Sequence, residues 1–270
     1  MLFRSMARVQ VGNVEIVALS DGSSAYAGER VYPSAGEALR HYAHHLDAEG
    51  RVPLNFGCFL LRADGRTVLV DTGNGPEADG TLMAQLSEAG VQPGDIDTVV
   101  FTHLHGDHTG WNLQREDGRP RFARARYLVP RGDWDHGVAQ DREGGSFNRD
   151  VRPLEALGAL ELIEGEHAIS TSLTTLPTPG HTPGHTTIVV RSGGQEAYIL
   201  GDAFLSPIDV EEIEWASSWD SDAETTVRTR RMLAQRIDAT NALIGASHLP
   251  APSLGRFVVV DGCQIGRAHV

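Results

Sequence analysis

Short apolar runs rich in Val, Ile and Leu, broken by Gly, Asp and Pro, recur along the chain. Runs of this kind, bounded by turn residues, predict strands. The first spans residues 14–19 and ends at the turn Ser20-Asp21-Gly22. Residues 58–62 and 67–71 flank Ala63-Asp64-Gly65-Arg66, and Asp-Gly between β-rich runs predicts a hairpin. Further strands are predicted over 98–101, 126–129, 172–176, 186–191, 197–200, 241–245 and 257–260. Helical patterns lie between them. Residues 34–48 carry His41, His44 and His45; residues 80–88 place Leu82, Met83 and Leu86 on one stripe and stop at Gly90. Ser221-Asp222-Ala223-Glu224 fits a capping box that opens a helix running to about residue 239. Residues 132–150, rich in Gly, Asp and Arg, read as an irregular surface excursion.

The polar residues that end these strands change the picture. Asp71, His103, Asp202 and His248 each follow an apolar run, and His181 follows a fifth. Strands that end along one sheet edge would bring such groups into one cleft. The densest stretch is Thr102-His103-Leu104-His105-Gly106-Asp107-His108-Thr109-Gly110. Alternate residues of an extended segment share a face, so His103 and His105 aim at one spot. A turn at Gly106 brings Asp107 and His108 to a neighbouring spot. Imidazoles and carboxylates are ligands for zinc and related metals, and uncompensated they would be costly to bury. Two adjacent clusters suggest two ions. His41, His44 and His45 read instead as a solvated or lid-like face, because no carboxylate stands near them at a ligand spacing.

With 270 residues and 40% hydrophobic content, the chain can bury a sizeable core, and no linker or internal repeat divides it. A net charge of −13 argues against a nucleic-acid partner and against anionic membrane surfaces. The two cysteines, Cys58 and Cys263, do not make a disulfide framework. Residues 1–10 lack the apolar stretch of a signal peptide and no run has the length of a membrane helix, so a soluble cytoplasmic protein is expected.

The H-x-H-x-D-H run, the segment Thr178-Pro179-Gly180-His181-Thr182-Pro183-Gly184-His185, then Leu200-Gly201-Asp202 and Ser247-His248 resemble the metallo-β-lactamase superfamily. The resemblance implies an α+β fold, a four-layer αβ/βα sandwich, occupying residues 1–264 as a single domain. Residues 265–270 match the translation of a common sequencing-adapter stretch and are set apart as a non-native tail. The resemblance implies one metal on His103, His105 and His181, a second on Asp107, His108 and His248, and Asp202 bridging them. It places Asp71, His185 and Asp21 behind the ligands, orienting them by hydrogen bonds. The aromatics Phe56, Trp111, Trp134 and Phe147 are candidates for an apolar substrate pocket.

The absence of a leader and the aspartate at the bridging position count against β-lactamase activity. The short stretch after His248 counts against glyoxalase II, and the acidic surface against nucleases of the fold. The segment from Ala246 to Phe257, with Asp220-Ser221-Asp222 ahead of a long helix, is similar to the methyl parathion hydrolase and N-acyl-homoserine lactonase branch. One departure is that Ala203, Phe204 and Leu205 follow Asp202, where many compact lactonases carry a tyrosine. The expected activity is metal-dependent hydrolysis of apolar lactones or carboxylic esters. Two divalent ions, zinc first and Mn, Fe or Co as alternatives, would hold a hydroxide between them, and Asp107 would move a proton. Phosphotriester hydrolysis, or mononuclear iron oxygenation on the same fold, is the alternative. Whether the chain forms a homodimer is left open.

Overall fold

The computed structural model describes residues 6–260 and 263–268, with side chains through Val258. Two sheets carry the architecture. In the first, β1 (Arg8–Val11), β2 (Val14–Ala27), β3 (Arg51–Ala63) and β4 (Arg66–Val70) are antiparallel neighbours; β5 (Thr98–Val100), β6 (Arg126–Pro130) and β7 (Leu160–Ile163) extend β4 in parallel. The second runs β8 (Leu173–Pro177), β9 (Thr186–Ser192), β10 (Gln195–Ile199), β11 (Leu243–Gly245), β12 (Leu254–Val260) and β13 (Cys263–Ala268). Only its β10–β11 pair is parallel.

Strand alternation explains the layering. Val17, Leu19, Leu60 and Val99 face outward onto Leu82, Leu86, Trp134 and Leu154, which lie on or beside the flanking helices. Their neighbours Ile16, Ala18, Leu61 and Val100 face inward and meet Ile188, Val190, Ala197 and Leu243 of the second sheet. The outer face of that sheet, through Val189, Tyr198 and Ile244, packs on Leu233, Ala234 and Ile237 of helix Ala223–Thr240. Three apolar layers thus separate four layers of structure, and the expected α+β sandwich holds. A fourth cluster, around Val31, Tyr32, Leu54, Leu205 and Ile208, seats Tyr42, Trp215 and Trp219.

Local expectations differ at several points. β2 does not end at Ser20; its pairing with β3 shifts register between Ser20 and Ser23, a bulge that leaves Asp21 on an irregular piece of strand. Residues 36–45 form 3₁₀ turns broken at Tyr42 rather than an α-helix. The excursion at 132–150 contains a helix, Arg131–Gln140, whose Asp133 and Trp134 are buried. The long helix is capped by Asp222, which accepts from Thr225 N at 3.0 Å, and not by Ser221. Ser221 N donates instead to His181 O, and Asp222 N to Gly180 O, tying the start of the helix to the histidine loop. Residues 265–268 pair with β12 residues 255–258 as part of β13; residues 269 and 270 lie outside the described residues. Among the described residues, no helix is long and apolar enough to cross a membrane.

Candidate metal centre

The ends of β4, β5, β10 and β11, and the loop between β8 and β9, deliver the polar residues to one place. His103, His105, His181 and Asp202 form one group of potential ligands, and Asp107, His108 and His248 a second; within each, the donor atoms lie within 4.8 Å of one another. His105 Nδ1 is 3.1 Å from His103 Nε2 and 3.0 Å from His181 Nε2. Asp202 faces both groups. Its Oδ2 is 2.9 Å from His248 Nε2 and 3.3 Å from His181 Nε2, and its Oδ1 is 3.3 Å from His108 Nε2. Asp107 Oδ2 stands 3.4 Å from His248 Nε2 and 3.7 Å from His108 Nε2.

Hydrogen bonds on the far side of each ring set which nitrogen is free. Asp220 Oδ1 accepts from His181 Nδ1 at 2.9 Å, Asp71 Oδ2 from His108 Nδ1 at 2.9 Å, and Asn55 O from His248 Nδ1 at 2.6 Å. With Nδ1 donating, each ring turns its Nε2 toward the cluster centre. Asp71 also accepts from Thr102 N at 2.8 Å and from Thr102 Oγ1 at 2.7 Å, which fixes the residue before His103. His185 does not face the cluster. Its Nδ1 donates to Thr178 O, and its Nε2 accepts from Asp202 N at 3.1 Å, holding the backbone of the bridging candidate. Gly201, at φ +54°, leaves room for this contact; a Cβ there would stand 2.7 Å from His185 Nε2. Asp21 lies farther out, accepting from Gly75 N, Leu82 N and the Trp111 indole.

The charge balance calls for a cation. Burial, then His108, hold the His103 pKa well below its ordinary value; burial, then His181, bring His105 down to about 4; burial, then His181, bring His185 to about 3. The trend reverses where carboxylates converge. Burial pulls His108 down, but Asp202, Asp107 and Asp71 outweigh it and hold its pKa well above the ordinary value. Burial likewise raises Asp202, yet His248, His108 and His103 hold it well below the usual carboxylate range. His108 Nε2 and Asp202 Oδ1 are nevertheless buried without a hydrogen-bond partner. The raised His108 and lowered Asp202 place a proton between these two atoms, 3.3 Å apart, where a divalent ion would take its place. The imidazole and carboxylate donors are of the class that binds zinc and its neighbours, so the residues fit two divalent ions.

Both groups open onto a cavity of about 550 Å³, lined by His105, Asp107, His181, Asp202 and His248 at its polar end and by Tyr26, Leu54, Phe56 and Trp219 along its apolar wall. Of the four aromatics expected in a pocket, Phe56 lines this cavity, its ring edge-on to His248 at 5.7 Å. Trp111 is buried instead, its indole N–H bonded to Asp21. Trp134 packs edge-on to Phe147 in the outer core, and Phe147 lines a separate cavity with His105, Asp133 and His136. Tyr26, Leu54 and Trp219 were not anticipated. Leu54 had a signal, since it stands two residues before Phe56 on the same strand face. Asp133 was also missed. Its carboxylate accepts from Leu104 N, Thr182 Oγ1 and Gly184 N, joining the two histidine-bearing loops.

Residues 58–248 match the family model of the metallo-beta-lactamase superfamily. The chain belongs to that superfamily. With that membership and with the ligand groups at a cavity floor, it is an enzyme. Among its relatives is the N-acyl homoserine lactonase AttM of Rhizobium radiobacter, 25% identical over 254 residues, which cover 82% of this chain and 93% of that protein. Among solved structures, the hydrolase AbOPH of the beta lactamase superfamily aligns with a TM-score of 0.86 at 23% identity, covering 100% of this chain and 99% of the other. AidC, a dizinc quorum-quenching lactonase, aligns with a TM-score of 0.84 at 21% identity, covering 98% and 97%. At these identities the structural likeness speaks for the fold.

Proposed function

We propose that this superfamily member hydrolyses small lactones of the N-acyl-homoserine type and carboxylic esters, using two divalent ions, zinc foremost. The observation that carries the reading is the cavity, in which both ligand groups meet a single apolar wall. The likeness to AttM supports the substrate class. Divalent ions on His103, His105 and His181 and on Asp107, His108 and His248, with Asp202 between, would supply Lewis acidity and an acidified water at neutral pH. The chain's own residues do the rest. Tyr26, Leu54, Phe56 and Trp219 take up the acyl chain and exclude water from the reacting bond. Asp107, partly exposed to the cavity, accepts the proton of the attacking water and returns it to the leaving oxygen. Arg30, whose guanidinium lies 5.4 Å from the Tyr26 ring and 6.0 Å from that of Trp219, meets the polar end of the substrate at the rim.

One observation favours phosphotriesters as a second activity. The three residues after Asp202, Ala203, Phe204 and Leu205, carry no hydroxyl to offer a lactone ring oxygen. The test compares kcat/KM for an acyl-homoserine lactone, a p-nitrophenyl ester and an aryl phosphotriester on one metal-loaded preparation. The lactone and ester are expected to lead. A phosphotriester ahead by about tenfold, equivalent to roughly 1.4 kcal/mol of transition-state preference, reverses the ordering.

A further inference from the structure

His44 and His45, read from sequence as a solvated face for want of a carboxylate, have one in the fold. Glu211, from the short helix Ile208–Glu211, reaches them across the chain. Its Oε1 is 2.9 Å from His45 Nε2 and 4.0 Å from His44 Nε2. Around a tetrahedral ion with ligand bonds of about 2.0–2.1 Å, donor atoms stand roughly 3.3 Å apart. The observed separations bracket that value. An ion pair with His45 at 2.9 Å leaves His44, at 4.0 Å, beyond hydrogen-bonding distance of the same oxygen. Successive residues of a regular helix face different ways. Here the 3₁₀ turns end at His45, with Leu46 extended, and the two rings come within 4.0 Å of each other over the same carboxylate.

The surroundings hold the three donors in place. Tyr42 packs edge-on to Trp215 at 5.4 Å, and its hydroxyl donates to Glu212 Oε1 at 2.5 Å, so the 3₁₀ segment is already fastened to the chain beside Glu211. The His45 and Glu211 side chains are only about one-fifth exposed, while that of His44 is 62% exposed. An ion bound here keeps open positions toward solvent.

We propose that His44, His45 and Glu211 form a third site for a divalent transition ion, separate from the two groups at the cavity floor. The ion clamps the segment Gly36–His45 to the helix Ile208–Glu211. Both elements border the apolar cluster that contains Leu54 and Trp219, and these two residues wall the substrate cavity. Filling the third site therefore stiffens one side of the pocket. Two imidazoles and a carboxylate select zinc, nickel, cobalt or copper over magnesium or calcium.

The test is zinc titration of the full-length, metal-loaded chain, with bound metal read by elemental analysis and affinity by calorimetry. The parent is expected to bind one more ion per chain than the variants His44→Ala, His45→Ala and Glu211→Gln, with affinity at this site lowered by about tenfold or more in each. Comparing parent with variant makes the result independent of how many ions the cavity floor holds. His44→Ala removes an exposed ring and so guards against a folding defect in the others. Amide exchange across residues 36–46 should slow when the last ion binds in the parent and stay unchanged in His44→Ala. Equal stoichiometry and affinity in parent and His44→Ala, or no additional ion in the parent up to about 1 mM zinc, overturns the proposal.

Discussion

Asp71 and Asp220 fix the tautomers of two histidines in different ligand groups, which allows one ion to be weakened at a time. In Asp71→Asn, Oδ1 can still accept from Thr102 N. The amide nitrogen then replaces Oδ2, which now accepts from Thr102 Oγ1 at 2.7 Å and from His108 Nδ1 at 2.9 Å. The threonine hydroxyl can rotate to accept. The imidazole cannot oblige without moving its proton to Nε2, the nitrogen that faces Asp202 Oδ1 at 3.3 Å. A proton on Nε2 occupies the lone pair an ion requires. Loss of such an orienting partner typically costs about 10–100-fold in metal affinity, or roughly 1.4–2.7 kcal/mol. The loss should fall on the group of Asp107, His108 and His248. Asp220→Asn does the same to His181, whose Nδ1 lies 2.9 Å from Asp220 Oδ1, and so weakens the group of His103, His105 and His181. Competition with a chromophoric chelator resolves the two affinities. Each variant is expected to lose one affinity step and keep the other within about threefold, since the two groups have no member in common and meet through Asp202. If both variants weaken the same step, or neither weakens any, hydrogen-bond control of the tautomers is refuted.

Asp202→Asn removes the carboxylate that faces both groups, so both affinity steps should weaken and kcat/KM should fall by more than about 100-fold, beyond Asp71→Asn; parental activity in Asp202→Asn would rule out the bridging role. Gly201→Ala puts a Cβ 2.7 Å from both His185 Nε2 and Thr102 Cβ at φ +54°, and thermal or denaturant unfolding should show a loss of about 2–4 kcal/mol; an unchanged Tm would mean that the loop relaxes freely. Removing residues 265–270 takes away most of edge strand β13 but none of the seven ligand candidates at the cavity floor, so metal content there and activity should stay within about twofold of the parent; loss of metal on truncation would tie the strand to the centre.

The parts of the site legible in the sequence were those that local periodicity places. Apolar runs at β4, β5, β10 and β11 locate the strand ends, and the polar residues just beyond them, Asp71, His103, Asp202 and His248, meet because neighbouring strands end together. The spacing of His103, His105, Asp107 and His108 is itself a local geometry, an extended step into the turn of helix Gly106–Thr109. Where a role depends on which surface a residue meets, the sequence is silent. Trp111 and Trp134 look like Phe56 as pocket aromatics, yet they are buried on the other face of the first sheet. Burial follows from their size, but facing does not. Helix Arg131–Gln140 was missed because it buries only Asp133 and Trp134 and contains two glycines, so its apolar stripe is too thin to read.

Long-range polar pairing was the least legible of all, and it is where chemistry is added to the fold. Nothing near Asp133 in sequence announces that it will join loops around residues 104 and 184. Nothing near His44 and His45 announces a carboxylate 166 residues away from His45. Hydrogen bonds and ligand contacts of this kind leave no periodic trace, because each needs only one residue of the right type at one point. They depend on the layers being in place, since burial is what makes an unpaired carboxylate or imidazole expensive. For the same reason, the groups around Asp202 and around Glu211 differ in what an ion would do. At Asp202 most of the donors are buried at the floor of the cavity, where an ion would replace the proton shared by His108 and Asp202. At the proposed Glu211 site His44 is exposed to water, so occupancy there would follow the concentration of free metal.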